Sequence, residues 1–223
     1  GYNSQLSGRS GALHRAARFL PVVDEPSCAR AAGIFVEAGD LVEIKESKLR
    51  GVDSYGMICA SSEIGLGDLL PADGDHVIAD LANFDCKAGQ PIAEVLDLDD
   101  IILEIDNKSM TNRPDLWGHY GIAREISALY NLPLVEIPEF PKTEQGDLDV
   151  RIGDEERCRR YLGVEIDGLY VKEAPYKMQN RIWKVGMRPI NALVDVTNYV
   201  MLAVGQPTHA FDSDNISDYI TAR

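Results

Sequence analysis

The chain has 223 residues, of which 45% are hydrophobic and 26% charged, values of a folded globular protein rather than a disordered or collagen-like one. Its 22 Lys and Arg against 36 Asp and Glu give a net charge of −14, which counts against a strongly nucleic-acid-binding surface over the whole chain. No run of about 18 apolar residues exists and the opening residues lack an apolar signal region, so neither a membrane span nor a secretory leader is expected. The charge is uneven. Residues 39–110 hold 5 basic and 16 acidic side chains, whereas residues 151–223 hold 10 of each. A cationic run in that last part (Lys172, Lys177, Arg181, Lys184, Arg188) reads as a solvated helix face or as a surface that tolerates a polyanion.

In chain order, residues 1–38 are rich in Ala, Arg, Ser and Gly and show no sustained period. From Gly39 alternation sets in, and residues 41–45 read as a strand followed by turn signals at Arg50-Gly51 and Tyr55-Gly56. Residues 77–79 and 101–105 are further strand candidates, and glycines at 65, 67, 74 and 89 cut the stretch into the short pieces of a small β-barrel or sandwich. A helix is predicted after Pro114 with Asp115 as its cap, carrying Ile122, Ala123, Ile126, Leu129 and Tyr130 and stopped by Asn131 and Pro133. Residues 136–149 read as a linker and 161–166 as a strand. Pro175 opens a helix to about Lys184, and an apolar stretch from Ile190 to Leu202 ends at Gly205-Gln206-Pro207.

Standard catalytic signatures are missing. No phosphate-cradling glycine loop, no GxSxG serine and no histidine pair at helical spacing occurs. The four cysteines are widely spaced with no CxxC, which argues against a zinc site or a disulfide framework and fits a reducing, cytoplasmic compartment. Three stretches remain. Lys48 to Cys59 reads as a tight hairpin, or as a place where Lys48 and Arg50 meet a phosphate backbone while Tyr55 stacks on a base. Thr111 to Asp115 reads as capping and loop hydrogen bonds, or as chemistry. Val194 to Asp212 sets Thr197, Asn198 and His209 among apolar residues, which implies either a satisfied polar network in the core or a pocket.

The text R-P-I-N-A-L-V-D-V-T-N-Y-V-M-L-A-V-G-Q-P-T-H-A-F-D, Arg188 to Asp212, resembles the B3/B4 region of phenylalanyl-tRNA synthetase beta subunits. T-N-R-P-D-L-W-G-H-Y-G-I-A-R-E, Thr111 to Glu125, is similar to their B1 region, and Lys48 to Leu66 to the end of their inserted tRNA-binding OB-fold module. Residues 1–38 do not match the first strands of that module, and Thr208 stands where the family more often has an apolar residue. The resemblance implies an α+β chain: an unmatched segment at 1–38, a partial OB-like barrel at 39–90, a B1-like segment at 91–138, a linker at 139–150 and the start of a B3/B4 editing domain at 151–223. It places the family's magnesium-binding region and later modules outside this chain.

In that family the alpha subunit uses ATP and Mg2+ to attach phenylalanine to tRNA(Phe), and the beta subunit removes tyrosine esterified in error; the whole is a heterotetramer. Rejecting an isostere with one added hydroxyl is hard for an apolar pocket, hence the second sieve. The resemblance implies that Thr197, Asn198 and His209 lie in the editing site, that Lys48, Arg50 and Tyr55 meet RNA, and that this chain itself holds no metal or cofactor. Asp195 and Asp212 read either as supports for the imidazole or as helix caps. A non-catalytic tRNA- or protein-binding module used in assembly is the alternative reading.

Overall fold

The structure is a computed structural model that describes residues 21–25, 28–31, 33–37, 40–44, 47–54, 56–74, 77–139 and 146–223. Within these the chain is α+β, with nine short strands and four α-helices, and it forms two compact units. The first takes the chain up to Lys108 together with Ala174–Ile190, and the second Ser109–Glu173 together with Asn191–Arg223.

The first unit begins with strands. β1 (Pro21–Glu25), β2 (Cys28–Ala31) and β7 (Met57–Ile58) form an antiparallel sheet in the order β1-β2-β7. β3 (Gly33–Glu37) pairs with β4 (Asp40–Ile44), and β5 (Ser47–Leu49) with β6 (Val52–Ser54). Strand content between Pro21 and Glu37 corrects the sequence reading of an unpatterned opening: β2, CARA, has no β-branched residue, and the Val pair of β1 and the Ile-Phe-Val run of β3 are too short to show a sustained alternation. The β5–β6 turn is read correctly. Arg50 and Gly51 both have positive φ (52° and 86°), the two-residue geometry that follows the right-handed twist of a hairpin.

The core of this unit is built from Cys59, Ile64, Leu66, Leu69, Ala79, Leu81, Ile92, Leu96 and Leu98. The short helix α1 (Ile92–Val95) contributes its buried face, and α3 (Tyr176–Lys184) closes over the cluster with Tyr176 and Trp183. The fit of α3 is polar as well as apolar. Tyr176 donates to the Leu96 carbonyl at 2.8 Å, and Asn180 Nδ2 donates to the carbonyls of Leu96 and Asp97 at 3.2 and 3.1 Å. Lys184, its side chain only 8% exposed, reaches Asp100 at 2.9 Å. Burial pushes the Tyr176 phenol well above its usual range.

Two strand expectations fail. Residues 101–105 and 161–166 take neither strand nor helix form, and Ile101, Leu103, Leu162 and Val164 are exposed. Alternation marks a chain suited to a pleated surface but does not supply the neighbouring strand. Residues 77–79 contribute one isolated bridge, Ile78 with Ala60.

In the second unit, α2 (His119–Tyr130) packs against α4 (Ala192–Val204), and β8 (Val150–Ile152) pairs in parallel with β9 (Ile220–Ala222). The predicted cap at Asp115 is corrected. Residues Pro114–Leu116 form a 3₁₀ turn, and α2 is capped by Gly118. The reason is contact. A Cβ on Gly121 would lie 1.6 Å from the Asp115 carbonyl oxygen, so the turn folds back onto the helix and only glycine fits there. A Cβ on Gly118 would lie 2.4 Å from the Gly205 nitrogen, so the start of α2 and the end of α4 meet backbone to backbone. Asn131, in the left-handed conformation, ends α2 as predicted.

Candidate functional site

The α4 helix is set by its caps. The Asn191 side chain accepts from the Leu193 and Val194 amides, both at 3.1 Å, and Gly205 with φ 76° turns the chain off its C-terminal end. Thr197 and Asn198 sit in the middle turns, both half-buried. The Thr197 hydroxyl donates to the Val194 carbonyl at 2.7 Å, which fixes its rotamer and leaves its oxygen as an acceptor. Asp195 is buried one turn into the helix.

Beyond Gly205 the chain runs through Gln206 and Pro207 in neither helix nor strand to His209, which is exposed, its ring 6.5 Å from that of Phe211. Asp212 is a cap. Its carboxylate accepts from the Asp214 amide at 3.2 Å and from Asn215 Nδ2 at 2.9 Å, opening the 3₁₀ turn Ser213–Asn215. Of the two roles open to it from the sequence, the structure takes the structural one.

The RNA-contact candidates lie in the first unit. Lys48 faces Asp53 across the β5–β6 ladder, with Nζ 3.7 Å from the carboxylate, and Arg50 occupies the turn. Tyr55 lies outside the described residues.

The Thr111–Asp115 stretch resolves into loop hydrogen bonds. Arg113 grips Asp115 with two bonds of 2.9 and 2.8 Å and also reaches Glu125 at 3.0 Å, while Arg124 donates to Asp115 at 3.0 Å. The Arg113 guanidinium holds the Asp115 carboxyl down at about 2. Sequence reasoning missed His119. Its Nδ1 lies 2.8 Å from the Leu202 carbonyl at the end of α4, a pairing 83 residues apart that no local pattern announces.

Among the described residues no group of three or more His, Cys, Asp or Glu could hold a metal ion, and no helix is long and apolar enough to cross a membrane.

Comparison with known proteins places this arrangement. The B3/4 domain family matches residues 157–223, which include α4 and the His209 segment. Phenylalanine–tRNA ligase beta subunits are similar over most of the chain. That of Fusobacterium nucleatum is 39% identical over 185 residues, covering 81% of this chain and 22% of the relative. That of Leptospira interrogans is 41% identical over 192 residues, covering 79% and 23%. The Gloeobacter violaceus subunit is 40% identical over 212 residues, covering 90% and 26%. A match over 90% of the chain is too long to fit within residues 39–223, so it takes in part of the opening segment as well. The chain spans about a quarter of the length of these curated relatives. It is a homologue of part of the phenylalanine–tRNA ligase beta subunit, an aminoacyl-tRNA synthetase component, and carries a B3/4 domain at its C-terminal end.

Proposed function

We propose that this chain acts within a phenylalanine–tRNA ligase, supporting attachment of phenylalanine to tRNA(Phe) and hydrolysing tyrosine esterified to that tRNA in error. The observation that carries the reading is the B3/4 match over 157–223, which includes Thr197, Asn198 and His209. In the reaction a water oxygen attacks the ester carbonyl carbon and the bond from that carbon to the ribose oxygen breaks. The proton from the water passes to the ribose oxygen, releasing free tyrosine and uncharged tRNA. His209 orients the water, and Asn198 supplies a donor toward the oxygen where negative charge develops. With its proton on Val194, Thr197 accepts from a ribose hydroxyl rather than donating to the carbonyl.

On this reading an OB-like module at 39–90 presents Lys48, Arg50 and Tyr55 to tRNA, and residues 91–138 act as the B1 segment. The partners are a catalytic alpha subunit and tRNA(Phe) in a cytoplasmic heterotetramer. ATP and Mg2+ serve the charging reaction there, and no step of the hydrolysis runs through them. Replacing His209 by Ala in the intact subunit should slow Tyr-tRNA deacylation by about 100-fold and leave phenylalanine charging nearly unchanged. Deacylation at the wild-type rate would remove His209 from the site and favour a purely binding role.

A further inference from the structure

The end of α4 is where the site begins, and helix ends are unfinished. The last carbonyls of an α-helix have no partner within it. Here Gly205 N–H satisfies Met201, and the chain then departs, leaving the Leu202 carbonyl to be met from elsewhere. It is met by His119, the first residue of α2, at 2.8 Å. A carbonyl oxygen only accepts, so His119 Nδ1 must carry the proton. Next to it, Gly118 and Gly205 approach so closely that a Cβ on Gly118 would meet Gly205 N at 2.4 Å and Val204 C at 2.8 Å. Gly118 itself has φ −155°, a conformation open to any residue, so contact alone bars a side chain. The same Gly205, at φ 76°, directs the chain toward His209 four residues on.

We propose that His119 is a positioning residue for the hydrolytic site: it caps α4 from α2 and, with the Gly118–Gly205 contact, fixes the exit direction of the segment that carries His209. This rests on the assignment of His209 to tyrosine-ester hydrolysis. The cap works through one hydrogen bond from Nδ1, which gives it a signature that general packing lacks. An asparagine amide places its donor near the Nδ1 position, whereas the longer glutamine reaches toward that of Nε2.

The test has two arms on His119→Ala, His119→Asn, His119→Gln and Gly118→Ala. In the first, imidazole nuclear magnetic resonance on this chain reads the His209 ring. Its cross-peak should move in His119→Ala, His119→Gln and Gly118→Ala and return in His119→Asn, and the wild-type His119 ring should show a protonated Nδ1. In the second, Tyr-tRNA deacylation by the intact subunit should fall about tenfold in kcat with KM unchanged in His119→Ala, and recover in His119→Asn. Circular dichroism confirms that each variant retains its helices, and His119→Gln probes the same hydrogen bond should His119→Ala not fold.

An unmoved His209 peak in folded His119→Ala, or His119→Asn behaving no better than His119→Ala, overturns the proposal. Wild-type protein that does not deacylate Tyr-tRNA overturns the functional reading instead, while the His209 peak still decides whether the cap sets the segment.

Discussion

Asp115 shows how one side chain can serve a loop. Its carboxylate takes two bonds from Arg113 and one from Arg124, and Arg113 continues to Glu125 on α2, so four charges tie the 3₁₀ turn to the helix that follows. Capping and loop bonds are one of the two roles that the sequence leaves open to this stretch, and the residue types are sufficient for that. Which arginine meets which carboxylate was not, because it depends on the fold-back that Gly121 permits. Since the folded-state value of Asp115 is depressed to about 2 from 3.8, its stabilising effect is complete above the unfolded value and is lost as pH falls through the folded one. An Asp115→Asn variant should therefore melt below the wild type at neutral pH, and the gap should close between about pH 4 and pH 2. Melting temperatures followed by circular dichroism across that range check it, and a gap that is constant with pH would mean the carboxylate charge is not what holds the loop.

Among the elements, the ends of α2 and α4 and the start of α3 were legible, the cap of α2 and the short α1 were not, and strands were less so. Asn131 and Gly205 end α2 and α4 where left-handed residues are expected, and Pro175 precedes α3, since caps are local chemistry written in adjacent residues. Residues 101–105 and 161–166 have β texture but do not form strands, because a strand needs a partner that its own residues do not encode. The seat of α3 was equally hidden. Asn180 is 2% exposed and points Nδ2 at two carbonyls more than 80 residues earlier, so the orientation of its amide is dictated by its acceptors. One of those acceptors, Asp97, itself has φ 50°, and the tie secures that turn. Asn180→Ala should cost roughly 1–2 kcal/mol, less than a full buried donor pair because Tyr176 still serves Leu96. Urea unfolding measures this, and an unchanged midpoint would show that the Tyr176 and Lys184 contacts suffice to seat α3.

At the scale of the whole molecule, the functional reading was legible through ordered motifs rather than through composition. The net charge of −14 argues against a polyanion partner, yet the motifs running from Lys48 to Asp212 agree with the homology found to beta subunits that handle tRNA by name. The two observations are compatible if tRNA is held by several surfaces, of which this chain offers only part, with Lys48 already partnered by Asp53. Charging needs more than contact. It requires a site that cradles ATP phosphates and brings the carboxylate of phenylalanine to the α-phosphorus, and this chain matches only 22–26% of its relatives' length. The chain alone, given ATP, Mg2+, phenylalanine and tRNA(Phe), should therefore produce no Phe-tRNA above background and catalyse no phenylalanine-dependent exchange of pyrophosphate into ATP. Both reactions should appear when the intact beta subunit is joined by its alpha partner. Acid-stable radiolabelled aminoacyl-tRNA and the exchange assay read the two steps separately. Exchange by the chain alone would place amino-acid activation within these 223 residues and overturn the division of labour between the subunits.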